Sequence, residues 1–238
     1  MKSQIQVLIL IFIFSLSTPM IAQPKLSSDL GFGFYEPTMD GFDKNEEVPF
    51  PTKSVLGRNI LLNWGVYYEF FSNARIGYSS FTSVEIGKMN LQNSSPVFIR
   101  SLKYRLFPLE TFFRWRSKIE INFTLAPIWG RGRITVETTP GEKTDDWNEL
   151  LNSFGDSDPM GDMGSSDAMI NDWIGYSGMI GIRYYLTSRI GLDFKAGFLN
   201  NSYDRKSWKL FNKKDIIGPE LEINELPIFS FKIIYGIK

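Results

Sequence analysis

From residue 29 onward, apolar and polar positions alternate with a period of two in eight segments. These are residues 29–35, 60–71, 75–87, 101–115, 118–133, 173–187, 190–200 and 228–237. In 60–71, Leu62, Trp64, Val66, Tyr68 and Phe70 share one side against Leu61, Asn63, Gly65, Tyr67 and Glu69. Such alternation predicts β-strands, because successive side chains of a strand point to opposite faces. The next segment sets Ile76, Tyr78, Thr82, Val84 and Ile86 against Arg75, Gly77, Ser79, Ser83 and Glu85. Segment 101–115 contains Phe107-Pro108, where a bulge with a change of phase is expected, since proline removes a ladder donor. Lys103 and Arg105 before that slip, and Glu110 and Arg114 after it, are then read onto one face. Tight links are predicted at 72–74, 116–118 and 187–189, and long ones at 36–58, 135–172 and 201–226, with a shorter one near 88–96. Long and short connectors alternate strictly.

Alternation alone does not say which face meets solvent. The segments run longer than the ~5–6 residues usual in soluble sheets and match the ~9–11 that cross a bilayer on a tilt. The polar faces are rich in small residues, including Gly31, Gly33, Gly65, Gly77, Ser79, Gly175, Gly181, Gly197 and Gly236, as a crowded lumen requires. Phe, Trp and Tyr make up 15% of the chain. They cluster in two girdles: Phe70, Phe71, Phe113, Trp115, Tyr184 and Tyr185 near the short links, and Trp129, Trp173 and Tyr35 toward the long ones. The expectation is an all-β fold, an eight-stranded antiparallel up-and-down transmembrane β-barrel with its apolar face on lipid.

The first residues form a different unit. Met1-Lys2 is a short positive region, residues 5–16 are almost purely aliphatic and Phe, and Ser17, Thr18 and Pro19 interrupt them before Ala22-Gln23. This is the layout of a secretory signal peptide, too short to span a bilayer as a helix. It places residues 1–22 as the export signal and 23–238 as the barrel domain.

The whole region from about residue 27 to 237 resembles the outer-membrane β-barrel superfamily of Gram-negative bacteria, and most of all its small eight-stranded OmpA-like and OmpX-like members. The runs RLFPLETFFRWRSKIEINFTLAPIWG and GIRYYLTSRIGLDFKAGF carry that resemblance. The closing strand FSFKIIYGIK resembles the family's insertion signal, though Lys238 stands where the family favours an aromatic residue. The resemblance implies the cell outer membrane after Sec-type export, with membrane lipid as partner, and brings no active site. Enzymes of this architecture commonly rest on His. His and Cys are both absent, which removes a Ser-His arrangement, thiolate metal ligation and disulfides. No enzymatic activity and no resident cofactor are expected. Lys+Arg equal Asp+Glu, so no global field recommends nucleic acid as a partner. A monomer is expected.

Strand parity assigns Glu69, Arg75, Glu85, Lys103, Arg105, Glu110, Arg114, Glu120, Arg183, Asp193, Lys195 and Lys232 to the lumen. Buried charges must pair or stay hydrated. The expected role is therefore a structural or surface-interaction barrel with a filled lumen; the alternative is a narrow porin-like channel for small solutes. Within the link 135–172, Asp156, Asp158, Asp162 and Asp167 approximate a calcium loop with Gly161 at its sixth position. Met160 and Pro159 are poor members of it. A Ca²⁺ held there could bridge to lipopolysaccharide phosphates. Just before it, DDWNELLNSF is expected to form an amphipathic turn or two with Trp147, Leu150, Leu151 and Phe154 on one side.

Overall fold

The structure, a computed structural model, describes residues 25–35, 59–88, 97–115, 118–137, 143–153, 168–210, 214–218 and 221–237. Strands β1 (Leu26–Tyr35), β2 (Asn59–Phe71), β3 (Ala74–Lys88), β4 (Val97–Leu106), β5 (Leu109–Trp115), β6 (Ile119–Glu137), β7 (Met169–Tyr185) and β8 (Ile190–Tyr203) follow in order. After them come the short β9 (Trp208–Leu210) and β10 (Lys214–Ile216), then β11 (Leu221–Gly236). One helix, α1 (Lys143–Ser153), lies between β6 and β7. Every barrel strand pairs antiparallel with its sequence neighbour, and β1 pairs with β11, which closes the sheet. At that seam Gly31 stands opposite Lys232, and a Cβ on Gly31 would overlap the Phe231 carbonyl. β4 and β5 occupy one position in the circuit, so the barrel has eight staves.

The interruption between β4 and β5 is not a phase slip. β3 pairs Ser79 with Leu106 and Ala74 with Thr111; β6 pairs Ile128 with Leu106 and Leu125 with Leu109. Both registers run through Phe107-Pro108 without an inserted residue. Gly77 N–H donates to the Pro108 carbonyl at 3.0 Å, and Phe107 N–H to the Pro127 carbonyl at 3.2 Å. Proline thus removes one donor from the Gly77–Pro108 pair while the strand keeps its parity. Leu102, Tyr104, Leu106, Glu110 and Phe112 are all buried in the lumen, and Lys103 is exposed on the exterior. Arg105 also faces outward, its guanidinium 5.6 Å from the Trp129 ring. The expectation that Lys103 and Arg105 line the lumen is therefore corrected.

Tyr35 and Trp173 are corrected as well. Both point inward and are buried, with Tyr104 between them: ring centroids lie 6.2 Å from Tyr35 and 6.1 Å from Trp173, edge to face. Tyr185 is buried too, so it leaves the outer girdle. The Trp173 indole lies over Gly130, where a Cβ would overlap it. Segments expected to be connectors prove partly regular. β6 runs to Glu137, β8 to Tyr203, and β9–β10 form a hairpin that extends β7 through Met169–Leu210 pairing.

The interior is layered. Charged residues fill the half nearest the short turns. The half nearest the long links is mostly apolar, with Leu61, Phe81, Leu102, Tyr104, Ile128, Ile134 and Val136 in one cluster and Arg100, opposite Ile134, buried at the same level. α1 adds Trp147, Leu150 and Leu151 to that cluster, all essentially fully buried. Their three- and four-residue spacing makes one helical stripe, and Asp145 and Asp146 in the first turn complement the helix dipole. Trp208, Leu210 and Ile216 from the β9–β10 hairpin close the same cluster from the side.

Candidate functional site

Five strands, β3 and β5 to β8, aim carboxylates and cations at one level of the lumen. Glu110 on β5 is at its centre. It lies 3.3 Å from Arg75 Nε and 3.3 Å from Arg183 Nη2, and it receives hydrogen bonds from Lys195 Nζ and, at 3.0 Å, from Thr124 Oγ1. Glu120 on β6 accepts from Arg75 Nη2 at 2.6 Å and stands 3.3 Å from Arg183 Nη1 and 3.6 Å from Arg114 Nε. The Tyr185 hydroxyl donates to it at 3.4 Å. Asp193 on β8 accepts from Arg183 Nε at 3.2 Å and from Asn122 Nδ2 at 3.0 Å. Every one of these carboxylates is fully buried. Alternation makes this possible: inward positions on adjacent strands fall at matching heights, as in the register pairs Arg75–Glu110, Glu120–Arg183 and Arg183–Asp193.

Two further pairs flank the layer. Arg114 Nη2 donates to Glu69 at 2.6 Å, half-sheltered at the turn end. Toward the middle, Lys232 Nζ donates to Asp29 at 2.9 Å and lies 5.3 Å from the Phe81 ring. Arg75 also sits 4.0 Å over the Phe112 ring. Five carboxylates (Asp29, Glu69, Glu110, Glu120, Asp193) thus face five cations (Arg75, Arg114, Arg183, Lys195, Lys232), and the described layer is electrically balanced. Asp29 is the member that sequence reasoning missed. Its odd parity beside Gly31 and Gly33 was the available signal. Glu85 stands opposite Arg100 in the β3–β4 register, farther toward the long links.

The candidate calcium ligands Asp156, Asp158, Asp162 and Asp167 lie outside the described residues, as does Phe154. Among the described residues, no group of three or more acidic side chains is placed to hold a metal ion.

The exterior has the opposite character. Along β6 the outward side chains Ile119, Ile121, Phe123, Leu125, Pro127 and Trp129 form an unbroken apolar line. Neighbouring strands continue it with Leu30, Leu62, Ile76, Leu109, Ile174, Ile180, Phe194, Phe231 and Ile233, all exposed, Leu30 at 70% and Ile174 at 82%. A monomeric protein in water rarely shows contiguous apolar patches beyond a few hundred Å². Here the belt runs right around the molecule. Ile119 to Trp129 spans about 34 Å of strand, or ~26 Å along the axis at a ~40° tilt, the height of a barrel's lipid-facing band. No helix among the described residues is long and apolar enough to cross a membrane. The chain is an eight-stranded transmembrane β-barrel.

No family model matches the chain, and no curated protein matches it. Among solved structures, the barrel is similar to Ail, the attachment invasion locus protein of Yersinia pestis, crystallised with the heparin analogue sucrose octasulfate. The identity is 10%, 90% of this chain and 99% of that one are covered, and the TM-score is 0.47. It is also similar to OprG from Pseudomonas aeruginosa (10% identity, 92% and 100% covered, TM-score 0.49) and to the E. coli outer membrane protein W (13%, 92% and 100%, 0.46). The assignment of this barrel rests on its own strand pairing and apolar belt.

Proposed function

We propose that the barrel is a closed structural and surface-interaction protein, anchored by its wall and working through its loop end, without enzymatic activity. The balanced ion-pair layer around Glu110 carries this reading. A conducting pore keeps its charges hydrated, whereas these carboxylates are fully buried and each is matched by a guanidinium or ammonium. The apolar cluster sealed by α1 forms a second barrier in series. Eight strands leave an interior that side chains can fill, in keeping with both layers.

Planar-bilayer recording of the refolded mature chain tests the reading. The closed barrel gives no steady ion conductance across the physiological voltage range. A stable, reproducible open level would overturn it and favour the narrow channel for small solutes.

A further inference from the structure

The belt of apolar residues ends in different ways around the circumference. On β1, β2 and β11 it stays apolar toward the long links, with Phe34, Ile60 and Phe229 exposed. On β4 and β6 it gives way to a block of cations. Lys103 and Arg131 are directly opposite each other in the β4–β6 register, Arg133 is opposite Ser101, and Arg105 is opposite Trp129. All four cations are on the outward parity, and Lys103, Arg131 and Arg133 are exposed. Arg131 makes a bidentate pair with Asp172 of β7, at 2.7 and 2.9 Å. Neither Lys103 nor Arg133 has a carboxylate partner among the described residues.

Like charges directly opposite on adjacent strands repel, so this arrangement is unfavourable by itself. Trp129 fixes its depth. Tryptophan marks the headgroup level of a membrane wall, and Arg105 stacks over that ring. The cations therefore stand at and just above the headgroups of the leaflet facing the long links, clustered in the β4–β6 sector. We propose that this sector is a binding site for the phosphate of a phosphorylated glycolipid in the outer leaflet, held by Lys103, Arg105 and Arg133, with Arg131 fixed beside them by Asp172. The phosphate supplies the negative charge that the sector lacks, and Arg forks suit its oxygens. The glycolipid's acyl chains lie along the apolar belt below.

The test uses the full mature chain refolded into neutral phosphatidylcholine nanodiscs containing bisphosphorylated lipid A or its enzymatically dephosphorylated form. Lipid retained through purification is counted by native mass spectrometry. The wild type retains the phosphorylated lipid and not the dephosphorylated one. The combined Lys103→Gln, Arg105→Gln and Arg133→Gln variant retains roughly a hundredfold less, at about fivefold per cation removed. All three side chains point outward, so heat-modifiable gel mobility reports that the variant still folds. If it does not fold, Arg133→Gln alone carries the test, with about a fivefold loss expected. Equal retention of the two lipids, or undiminished retention by a folded variant, overturns the proposal. So does displacement of the lipid by millimolar inorganic phosphate, which marks a simple ion site. Loss of binding to a soluble sulfated polysaccharide with lipid retention unchanged overturns it too, and assigns the sector to a polyanion instead.

Discussion

Glu110 shows what a single inward side chain does in a closed lumen. It contacts Arg75, Arg183 and Lys195 at once, with no water-accessible surface to share the charge. Glu110→Ala leaves Arg75, Arg183 and Lys195 with only Glu120 and Asp193 to share among them in a confined space. The expected cost is ~3–5 kcal/mol, the range for stranding one member of a buried ion pair. The exposed pair Lys209–Asp215, 4.0 Å apart outside the lumen, gives the contrast: Asp215→Asn should cost only ~0–1 kcal/mol. Urea unfolding in lipid vesicles measures both. Equal, small losses would mean that the Glu110 layer is hydrated, and the closed-barrel reading would fall with it. The glutamate and its partners were readable from parity because their strands alternate cleanly. Lys103 and Arg105 were misplaced for a local reason. On β4 both faces carry large side chains, Leu102, Tyr104 and Leu106 on one and the two cations on the other. Periodicity there gives no apolar face to orient the strand, and a proline that keeps its register is indistinguishable in sequence from one that shifts it.

At the scale of elements, strand periodicity exposed the eight staves, since pleating forces it on every residue of a half-lipid, half-lumen wall. The apolar upper lumen was not readable in the same way. Its inward residues resemble the belt in hydrophobicity, and what makes them interior is α1, an element distant in sequence from most of the strands it covers. The helix itself was legible from the Trp147, Leu150 and Leu151 stripe; its seat was not. This predicts how α1 behaves as a plug. Leu150 and Leu151 bury their side chains completely, and each Leu→Ala change in such a site costs ~2–5 kcal/mol. The burden falls on helix docking, because the barrel ladders do not depend on those side chains. Leu150→Ala with Leu151→Ala should therefore make residues 143–153 sensitive to added protease and red-shift Trp147 emission, while the barrel keeps its heat-modifiable mobility. Unchanged protection of the helix would show that the apolar cluster does not hold it.

The whole molecule is an inverted object: charge and apolar side chains share its interior, and its exterior is apolar over the membrane's height. The depth of that belt is a quantitative claim. Leu125 sits in the middle of the outward line on β6, and Ile119 at its turn end. An arginine at the bilayer midplane costs ~2–4 kcal/mol in a barrel wall, falling to ~0–1 near the interface. Leu125→Arg should accordingly destabilise the barrel by ~2–4 kcal/mol and Ile119→Arg by no more than ~1 kcal/mol when both are unfolded with urea from the same vesicles. Near Ile119 the guanidinium can reach the headgroups, whereas at Leu125 it cannot without thinning the bilayer. The gradient separates this arrangement from a protein whose apolar face merely packs on another protein, where exposure in the partner interface rather than depth would set the cost. In detergent micelles of small radius the two costs should converge, because water lies closer to Leu125. A Leu125→Arg cost no larger than that of Ile119→Arg in vesicles would remove the belt from the bilayer and, with it, the depth assigned to Trp129 and the cations beside it.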